Sequence, residues 1–200
     1  MTTLRMNGAV VHKGYLDRAA QEAMAADVAG ISDAAPFYRP MTPWGKPMRV
    51  EMTSAGDLGW FTDRRGYRYV ETHPDGQAWP PVPAGILDVW SDLVSKERLP
   101  DCCLVNRYGA DAKMGLHQDK DEADFSWPVL SISLGDTGVF RVGGLERSDP
   151  TESIALESGD VVILGGDARL AFHGIDRIKA GSSTLFSEGG RVNLTLRVVS

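Results

Sequence analysis

The stretch VLSISLGDTGVFRVGG, residues 129–144, decides the fold. It contains two short runs rich in valine, isoleucine and phenylalanine, separated by Gly-Asp-Thr-Gly at 135–138. Short apolar runs bounded by glycine and aspartate are typical of β-strands joined by turns. Residues 129–144 are therefore predicted to form two neighbouring β-strands joined by a turn.

Similar runs continue on both sides of this stretch. They are CLVNRY (103–108), SIALESG (153–159), DVVILGG (160–166), LAFHGI (170–175) and RVNLTLRVV (191–199). Many short strands at close, regular spacing predict an antiparallel sandwich or barrel. We therefore expect residues 101–200 to form a β-sheet core.

The first hundred residues have a different pattern. Apolar residues at three- and four-residue intervals predict helices over 15–29, ended by Gly30, and from about 83 to 98. Residues 36–82 are rich in proline, glycine and aromatics and include only short strand-like pieces. We expect this middle segment to form a covering lid. The predicted fold class is mainly β with flanking helices (α+β), in a single domain spanning 1–200.

The composition describes an ordinary globular chain. Of its 200 residues, 42% are hydrophobic and 24% are charged. No run approaches the roughly 18 apolar residues of a membrane span, and the first residues lack a secretory apolar block. Cys102 and Cys103 are adjacent, so in a strand they point to opposite faces and a disulfide between them is not expected. These features predict a cytoplasmic protein without a membrane partner, which we expect to be a monomer.

The net charge of −6 argues against binding of nucleic acid through bulk electrostatics. The charge is unevenly distributed, however. Between Arg39 and Arg68 there are six basic residues and three acidic ones. This segment is the candidate contact surface for a polyanion.

A candidate metal site is formed by His117, Asp119 and His173. If residues 117–119 are extended, the first and third side chains project from one face while Gln118 turns away. Two histidines and one carboxylate form the facial triad typical of non-haem Fe(II) oxygenases. The alternative is a solvated His-x-Asp turn with His173 as a hydrogen-bonded core residue. The remaining histidines, His12 and His73, are expected at the surface.

The last strand, residues 191–198, alternates strictly. Valines and leucines form one face, and the opposite face carries Arg191, Asn193, Thr195 and Arg197. One interpretation is an antiparallel sheet with a solvated side. The other is a dicarboxylate site, because guanidinium groups pair with carboxylates in bidentate fashion.

These motifs together resemble the AlkB-type dioxygenases. The likeness rests on NRY at 106–108, HQDKDE at 117–122, FHG at 172–174 and RVNLTLR at 191–197, with LGW at 58–60 and GYRY at 66–69 resembling a substrate lid. It implies a double-stranded β-helix, the jelly-roll core of 2-oxoglutarate dioxygenases. It also implies that the catalytic triad His117, Asp119 and His173 binds Fe(II), with 2-oxoglutarate and O2 as co-substrates.

By the same resemblance, the 2-oxoglutarate ligands are Asn106, Tyr108, Arg191, Asn193 and Arg197. Which arginine faces which carboxylate is left open, with a preference for Arg191 and Tyr108 at the distal one.

The resemblance further places Trp60, Tyr67, Asp121 and Arg147 in the substrate site. Arg68 is added from the stretch 60–69, which interleaves aromatics and arginines in the manner of single-strand binders. The implied function is oxidative dealkylation repair of 1-methyladenine and 3-methylcytosine lesions in DNA, single- or double-stranded, and alternatively in RNA, releasing formaldehyde. Two other functions stay open: a dioxygenase of the same fold acting on RNA or protein, and a non-catalytic cupin-like metal-binding module.

Overall fold

The computed structural model describes all residues from 1 to 200. It contains thirteen strands and two helices. The strands are β1 (Thr2–Met6), β2 (Ala9–Lys13), β3 (Glu51–Gly56), β4 (Gly59–Asp63), β5 (Gly66–Val70), β6 (Cys102–Tyr108), β7 (Met114–His117), β8 (Val129–Gly135), β9 (Thr137–Val142), β10 (Glu152–Leu156), β11 (Val161–Leu164), β12 (His173–Lys179) and β13 (Arg191–Arg197). The helices are α1 (Arg18–Ala34) and α2 (Ala84–Leu93), and a 3₁₀ turn spans Gly166–Ala168.

Two antiparallel sheets form the core. The major sheet has the order β1-β2-β11-β8-β13-β6-β3, and the minor sheet has the order β10-β9-β12-β7. Side chains from both sheets, such as Leu104 and Val162 of the major sheet and Phe140 and Ile175 of the minor one, meet in one apolar cluster. This two-sheet arrangement confirms the predicted jelly-roll core.

The helices cover the outer face of the major sheet. Met24, Val28 and Ile31 of α1, together with Ile86 and Trp90 of α2, are buried in a second apolar cluster. That cluster also contains the apolar face of β13, formed by Val192, Leu194, Leu196 and Val198. The molecule is therefore layered as helices, major sheet and minor sheet, and the polar face of β13 points towards the minor sheet.

The helix ends differ from the predicted ones. Asp17 caps α1 by accepting a hydrogen bond from Ala20 N at 2.8 Å, and the helix continues through Gly30 to Ala34. Glycine lowers helix stability by only about 1 kcal/mol, so the burial of Ile31 beyond it is sufficient to extend the helix. The predicted stop at Gly30 was wrong, and α2 ends at Leu93, earlier than expected.

Three strands from the first hundred residues belong to the major sheet. β1 and β2 form a hairpin that pairs with β11, and β3 pairs with β6. The range 36–82 is thus not uniformly a lid: β3, whose middle four residues are buried, is part of the core sheet, whereas β4 and β5 form a separate hairpin. The sequence predicted a short strand at MRVEMT (48–53), which overlaps β3, but the small, mixed residues EMTSAG show no clear alternation that would have placed this strand in the core sheet.

Two smaller expectations had different outcomes. Cys102 and Cys103 are free thiols, as predicted. Both are also buried, and burial raises the pKa of the Cys102 thiol to about 12. His73, expected at the surface, is only 3% exposed: its Nε2 lies 2.9 Å from the carbonyl of Pro36, and its ring packs edge-on against Tyr38 and Trp79. No helix has the length and apolar character required to cross a membrane.

Candidate metal centre and active-site cavity

The two histidines of the predicted triad are neighbours across a strand pair. β7 and β12 are antiparallel, and His117 lies directly opposite His173 in their register. The centroids of the two imidazole rings are 4.5 Å apart. The sheet therefore brings together side chains that are distant in sequence.

Asp119 completes the group from just beyond the end of β7. Its Oδ1 lies 3.8 Å from His117 Nε2, and its Oδ2 lies 3.7 Å from His173 Nε2. The three ligand atoms all lie within 4.8 Å of one another. Gln118 points elsewhere and donates to the carbonyl of Leu170 at 2.7 Å. The structure thus assembles two imidazoles and one carboxylate around one point, the donor set of non-haem Fe(II) sites.

Backbone contacts fix the tautomers of both imidazoles. His117 Nδ1 lies 3.0 Å from the carbonyl of Gly115, and His173 Nδ1 lies 2.9 Å from the carbonyl of Ala171. A carbonyl only accepts, so each Nδ1 carries the proton and each Nε2 presents its lone pair to the shared point. Burial lowers the pKa of His173 to about 4 and keeps it neutral. Both rings are therefore oriented to bind a metal ion.

Asp119 is kept ionised by its surroundings. Burial alone would raise its pKa, but the charge of Arg197, whose Nη2 donates to Oδ2 at 2.9 Å, and the two nearby imidazoles lower the pKa below its ordinary value. Two imidazoles that present their Nε2 atoms and an ionised carboxylate suit a divalent ion such as Fe(II). The residues present thus fit the metal that their pattern predicts.

The polar face of β13 is buried, not solvated. Arg191 is 0% exposed and Arg197 is 5% exposed, and Asn193 and Thr195 between them are also buried. Two buried guanidinium groups on one strand are costly unless each has an anionic partner. The interpretation of this face as a wet side of the sheet is therefore wrong.

Arg191 forms no ion pair with a carboxylate of the chain. Its Nη2 donates to Ser133 Oγ at 2.8 Å and its Nη1 to the carbonyl of Leu156 at 3.3 Å, while its Nε has no partner. Burial lowers the pKa of this guanidinium to about 10. Tyr108 lies directly opposite Arg191 in the register of β13 and β6, and burial raises the pKa of its phenol to about 12. A buried cation beside a protonated hydroxyl group can receive a carboxylate.

Arg197 lies at the metal end of the same strand. Its Nε is 3.3 Å from Glu122 Oε1 without hydrogen-bond alignment, and its Nη1 has no partner. The amide of Asn193 is oriented by Ser131 Oγ, and the buried Oδ1 of Asn106 is unpaired. Unsatisfied buried polar atoms next to the triad are consistent with a polar co-substrate at this end.

A cavity of about 660 Å³ opens above this polar face. It is lined by the triad, by Asn106, Tyr108, Asn193 and Arg197, and by four of the five predicted substrate residues, Trp60, Tyr67, Asp121 and Arg147. Arg191 is not part of the lining and lies behind it. The volume is within the range of small-molecule sites.

Two aromatic side chains of the β4–β5 hairpin lie at this cavity. Trp60 and Tyr67 stack with ring centroids 5.3 Å apart and an interplanar angle of 20°. Trp60 Nε1 donates to Asp121 Oδ2 at 3.0 Å, which connects the hairpin to the loop after β7. Arg147 is exposed, with its guanidinium 5.7 Å from the ring centroid of Phe172.

Arg68 is the predicted substrate residue that the structure does not bring to the cavity. It pairs with Phe61 across the hairpin, and successive residues of a strand face opposite sides, so its side chain lies on the face away from Trp60. There its guanidinium binds both carboxylate oxygens of Asp63 at 2.8 Å. The sequence pattern of alternating aromatics and arginines does not distinguish these two faces.

A buried ionic group next to the triad was not predicted. Glu122 accepts from Tyr69 Oη and from Arg169 Nη2, the latter at 3.0 Å. Arg169 also donates to the backbone carbonyls of Asp119 and Trp127, each at 2.7 Å. Glu122 falls within the motif HQDKDE, but nothing local in the sequence identifies Arg169 as its partner.

Comparison with known proteins gives a consistent result. The 2OG-Fe(II) oxygenase superfamily matches residues 8–197. The chain is 57% identical over 188 residues to the "Alpha-ketoglutarate-dependent dioxygenase AlkB homolog" of Caulobacter vibrioides, covering 94% of this chain and 86% of that protein. It is 40% identical over 195 residues to the "Alpha-ketoglutarate-dependent dioxygenase AlkB" of Escherichia coli, covering 95% and 89%. The solved structure of OsALKBH1 superposes with a TM-score of 0.79 at 32% identity, covering 98% of each chain.

Proposed function

Because the chain belongs to the 2OG-Fe(II) oxygenase superfamily, and within it to the AlkB-type dioxygenases, we propose that it removes alkyl groups from nucleic-acid bases by oxidation. The observation that carries the proposal is the triad at the base of an aromatic-lined cavity. The triad is the donor set of non-haem Fe(II) oxygenases, and membership of the 2OG-Fe(II) oxygenase superfamily adds dependence on 2-oxoglutarate. The stacked Trp60 and Tyr67 at the entrance favour a planar substrate.

His117, Asp119 and His173 would hold the iron through two Nε2 atoms and a carboxylate oxygen. Bound iron, with 2-oxoglutarate and O2, supplies oxidation of an alkyl carbon, and 2-oxoglutarate leaves as succinate and CO2. The chain's own contribution is orientation. The carbonyls of Gly115 and Ala171 fix the imidazoles, and Arg197 holds the carboxylate. Hydroxylation of an N-methyl group gives an unstable hydroxymethyl base that releases formaldehyde, so no protein nucleophile is required.

The 2-oxoglutarate site lies along the polar face of β13. Arg197 contacts the metal ligand Asp119, so it is assigned to the end of the co-substrate near the metal. Asn106 and Asn193, which lie opposite each other in the register of β6 and β13, are assigned to the stretch between the two arginines. Arg191 begins the strand and, with Tyr108, is assigned to the distal carboxylate. The support for this assignment is that Arg191 is a fully buried cation without a carboxylate partner, whereas Arg197 already has Asp119.

Arg191→Lys tests the distal assignment. An ammonium group cannot form the bidentate pair, and a charge-assisted hydrogen bond contributes about 1.5–3 kcal/mol. We expect the Kd for 2-oxoglutarate to rise roughly 10- to 150-fold. Equilibrium dialysis of labelled 2-oxoglutarate against metal-loaded protein measures it. The matched control is Arg177→Lys, an exposed arginine of β12, which should bind as the wild type does. If Arg191→Lys binds 2-oxoglutarate as tightly as Arg177→Lys does, the assignment of Arg191 to the 2-oxoglutarate site is wrong.

The charged and aromatic side chains of the cavity support the proposed substrate class. Lesions such as 1-methyladenine and 3-methylcytosine carry a positive charge, so an indole face gives them a cation–π contribution and Asp121 can accept from their exocyclic amine. In the structure Asp121 accepts from Trp60, so a bound base would compete for this carboxylate. An uncharged normal base gains less from both contacts. DNA is the proposed substrate, with RNA as the alternative, and Arg147 is the proposed phosphate contact.

The decisive experiment is reconstitution with Fe(II) and 2-oxoglutarate under nitrogen, followed by air and an oligonucleotide carrying 1-methyladenine. We expect one formaldehyde per methyl group removed and loss of the methyl mark by mass spectrometry. A methylated peptide and an unmethylated oligonucleotide serve as parallel substrates. Formaldehyde from the peptide alone would replace the nucleic-acid assignment with a protein one.

The proposed setting is the cytoplasm and the proposed state a monomer. The support for a reducing compartment is that Cys102 and Cys103 are both free thiols.

A further inference from the structure

Trp44 is an exposed residue of the cavity lining. Its side chain is 79% exposed, and it lines the same cavity as His117. Exposure falls along the lining, from 79% at Trp44 to 46% at Tyr67 and 2% at Met52. Trp44 therefore lies at the mouth of the cavity, outside the place proposed for the alkylated base.

Backbone hydrogen bonds order the turn that carries this indole. Gly45 N donates to the carbonyl of Thr42 at 2.8 Å, which closes a four-residue turn with Pro43 second and Gly45 last, the positions these residues favour. Thr42 N donates to the carbonyl of Lys46 at 2.8 Å, and Met48 N donates to the carbonyl of Pro40 at 2.9 Å. The turn is thus closed by three backbone hydrogen bonds. An aromatic ring on a preformed turn loses little conformational entropy when a ligand stacks on it.

Three exposed cations belong to the same region of the surface. Lys46 directly follows the turn, and Lys120 and Arg147 line the same cavity as Trp44. None of them enters an ion pair of the chain. Exposed aromatic rings interspersed with unpaired cations are the features that bind single-stranded nucleic acid, where bases stack and phosphates pair with the cations.

We propose that Trp44 forms a stacking subsite for the nucleobase adjacent to the alkylated one. The inference rests on the proposed function and makes it more specific: it adds a contact for the base next to the lesion, which in a single-stranded oligonucleotide is free to leave its stack. In a duplex that base is stacked and paired, and exposing it costs a few kcal/mol. The subsite is separate from Trp60 and Tyr67, which already stack on each other.

The test compares two ligands on protein loaded with Fe(II) and 2-oxoglutarate under nitrogen. One is a 3-methylcytosine mononucleotide, and the other is a trinucleotide with 3-methylcytosine in the middle. For the wild type we expect tighter binding of the trinucleotide. Trp44→Ala should reduce this preference about tenfold, because stacking on an aromatic ring contributes that order of affinity per base. Trp44→Phe, which keeps a ring, should recover most of the preference.

Met41→Ala is the matched control. Met41 directly precedes this turn and is 42% exposed, but it does not line the cavity. It should keep the wild-type preference. A second measurement places 2-aminopurine next to the lesion, where stacking on Trp44 quenches its fluorescence on binding and Trp44→Ala should reduce that quenching.

The outcomes separate the two proposals. If the wild type binds neither methylated ligand, the proposed function is wrong and this inference with it. If the wild type prefers the trinucleotide and Trp44→Ala keeps the full preference, only the subsite is wrong. If light scattering shows a wild-type dimer that Trp44→Ala dissociates, the indole contacts a second copy, and the subsite is again rejected.

Discussion

His117→Ala is expected to abolish formaldehyde release from a methylated oligonucleotide. The substitution removes one of three ligand atoms that lie within 4.8 Å of one another and leaves only His173 and Asp119 at the metal point. Loss of even an outer partner of a metal ligand costs about 10- to 100-fold in metal affinity, so loss of a ligand should cost at least that much. Fe(II) content after anaerobic dialysis and formaldehyde release measure the effect.

His12→Ala is the control for this prediction. His12 lies in β2 of the major sheet, and its Nδ1 is within hydrogen-bond distance of Thr3 Oγ1 at 3.1 Å. The variant removes an imidazole without affecting the triad, so metal content and activity should remain at the wild-type level. Full formaldehyde release by His117→Ala would disprove the assignment of the metal ligands.

Arg169→Met is expected to lower the free energy of unfolding by about 3 kcal/mol, because removing one partner of a buried ion pair leaves the other charge without compensation. Arg169 is 3% exposed and lies 3.0 Å from Glu122, which is 6% exposed. The substitution also deprives the carbonyls of Asp119 and Trp127 of their donor. Arg197, 3.3 Å from Glu122, compensates part of the charge, which places the expected loss at the low end of the range for buried pairs.

Urea denaturation of the metal-free protein measures this loss. The control is Arg141→Met, whose partner Asp176 is half exposed at the surface, so the expected change stays below about 1 kcal/mol. The double variant Arg169→Met, Glu122→Gln should recover part of the stability, since the neutral amide no longer leaves a buried charge. Equal effects of Arg169→Met and Arg141→Met would show that the Glu122 pair contributes no more than a surface contact.

Glu122 also connects the β4–β5 hairpin with the metal triad. It accepts from Tyr69 of β5 and from Arg169, and it lies beside Arg197, which holds Asp119. The second connection runs from Trp60 to Asp121. The Tyr69–Glu122 and Trp60–Asp121 contacts hold the β4–β5 hairpin against the loop that follows β7. The position of the hairpin over the cavity is therefore set by the same short segment that supplies a metal ligand.

The sequence by itself predicted most strands of the C-terminal half and the three residues of the triad. The short strand β7 was not among the predicted runs, and β12 begins and ends later than the run LAFHGI at 170–175. Short apolar runs between glycines predict strands, because successive side chains of a strand alternate between its two faces. The alternation in residues 191–198 established that β13 has one apolar and one polar face. The motif spacing was sufficient to indicate the family, which the comparisons then showed.

Only the tertiary structure decided what covers each face. A two-residue period in the sequence shows that the two faces of a strand differ. Whether the polar face meets water or a second sheet depends on strands that are far away in sequence. In this protein the second, minor sheet covers that face and buries Arg191 and Arg197. The opposition of His117 and His173 likewise depends on the register of β7 with β12. The same reason explains why the Arg169–Glu122 pair and the cavity position of Trp44 were missed. Contacts between distant segments leave no local pattern, since they are formed only when the sheets pack.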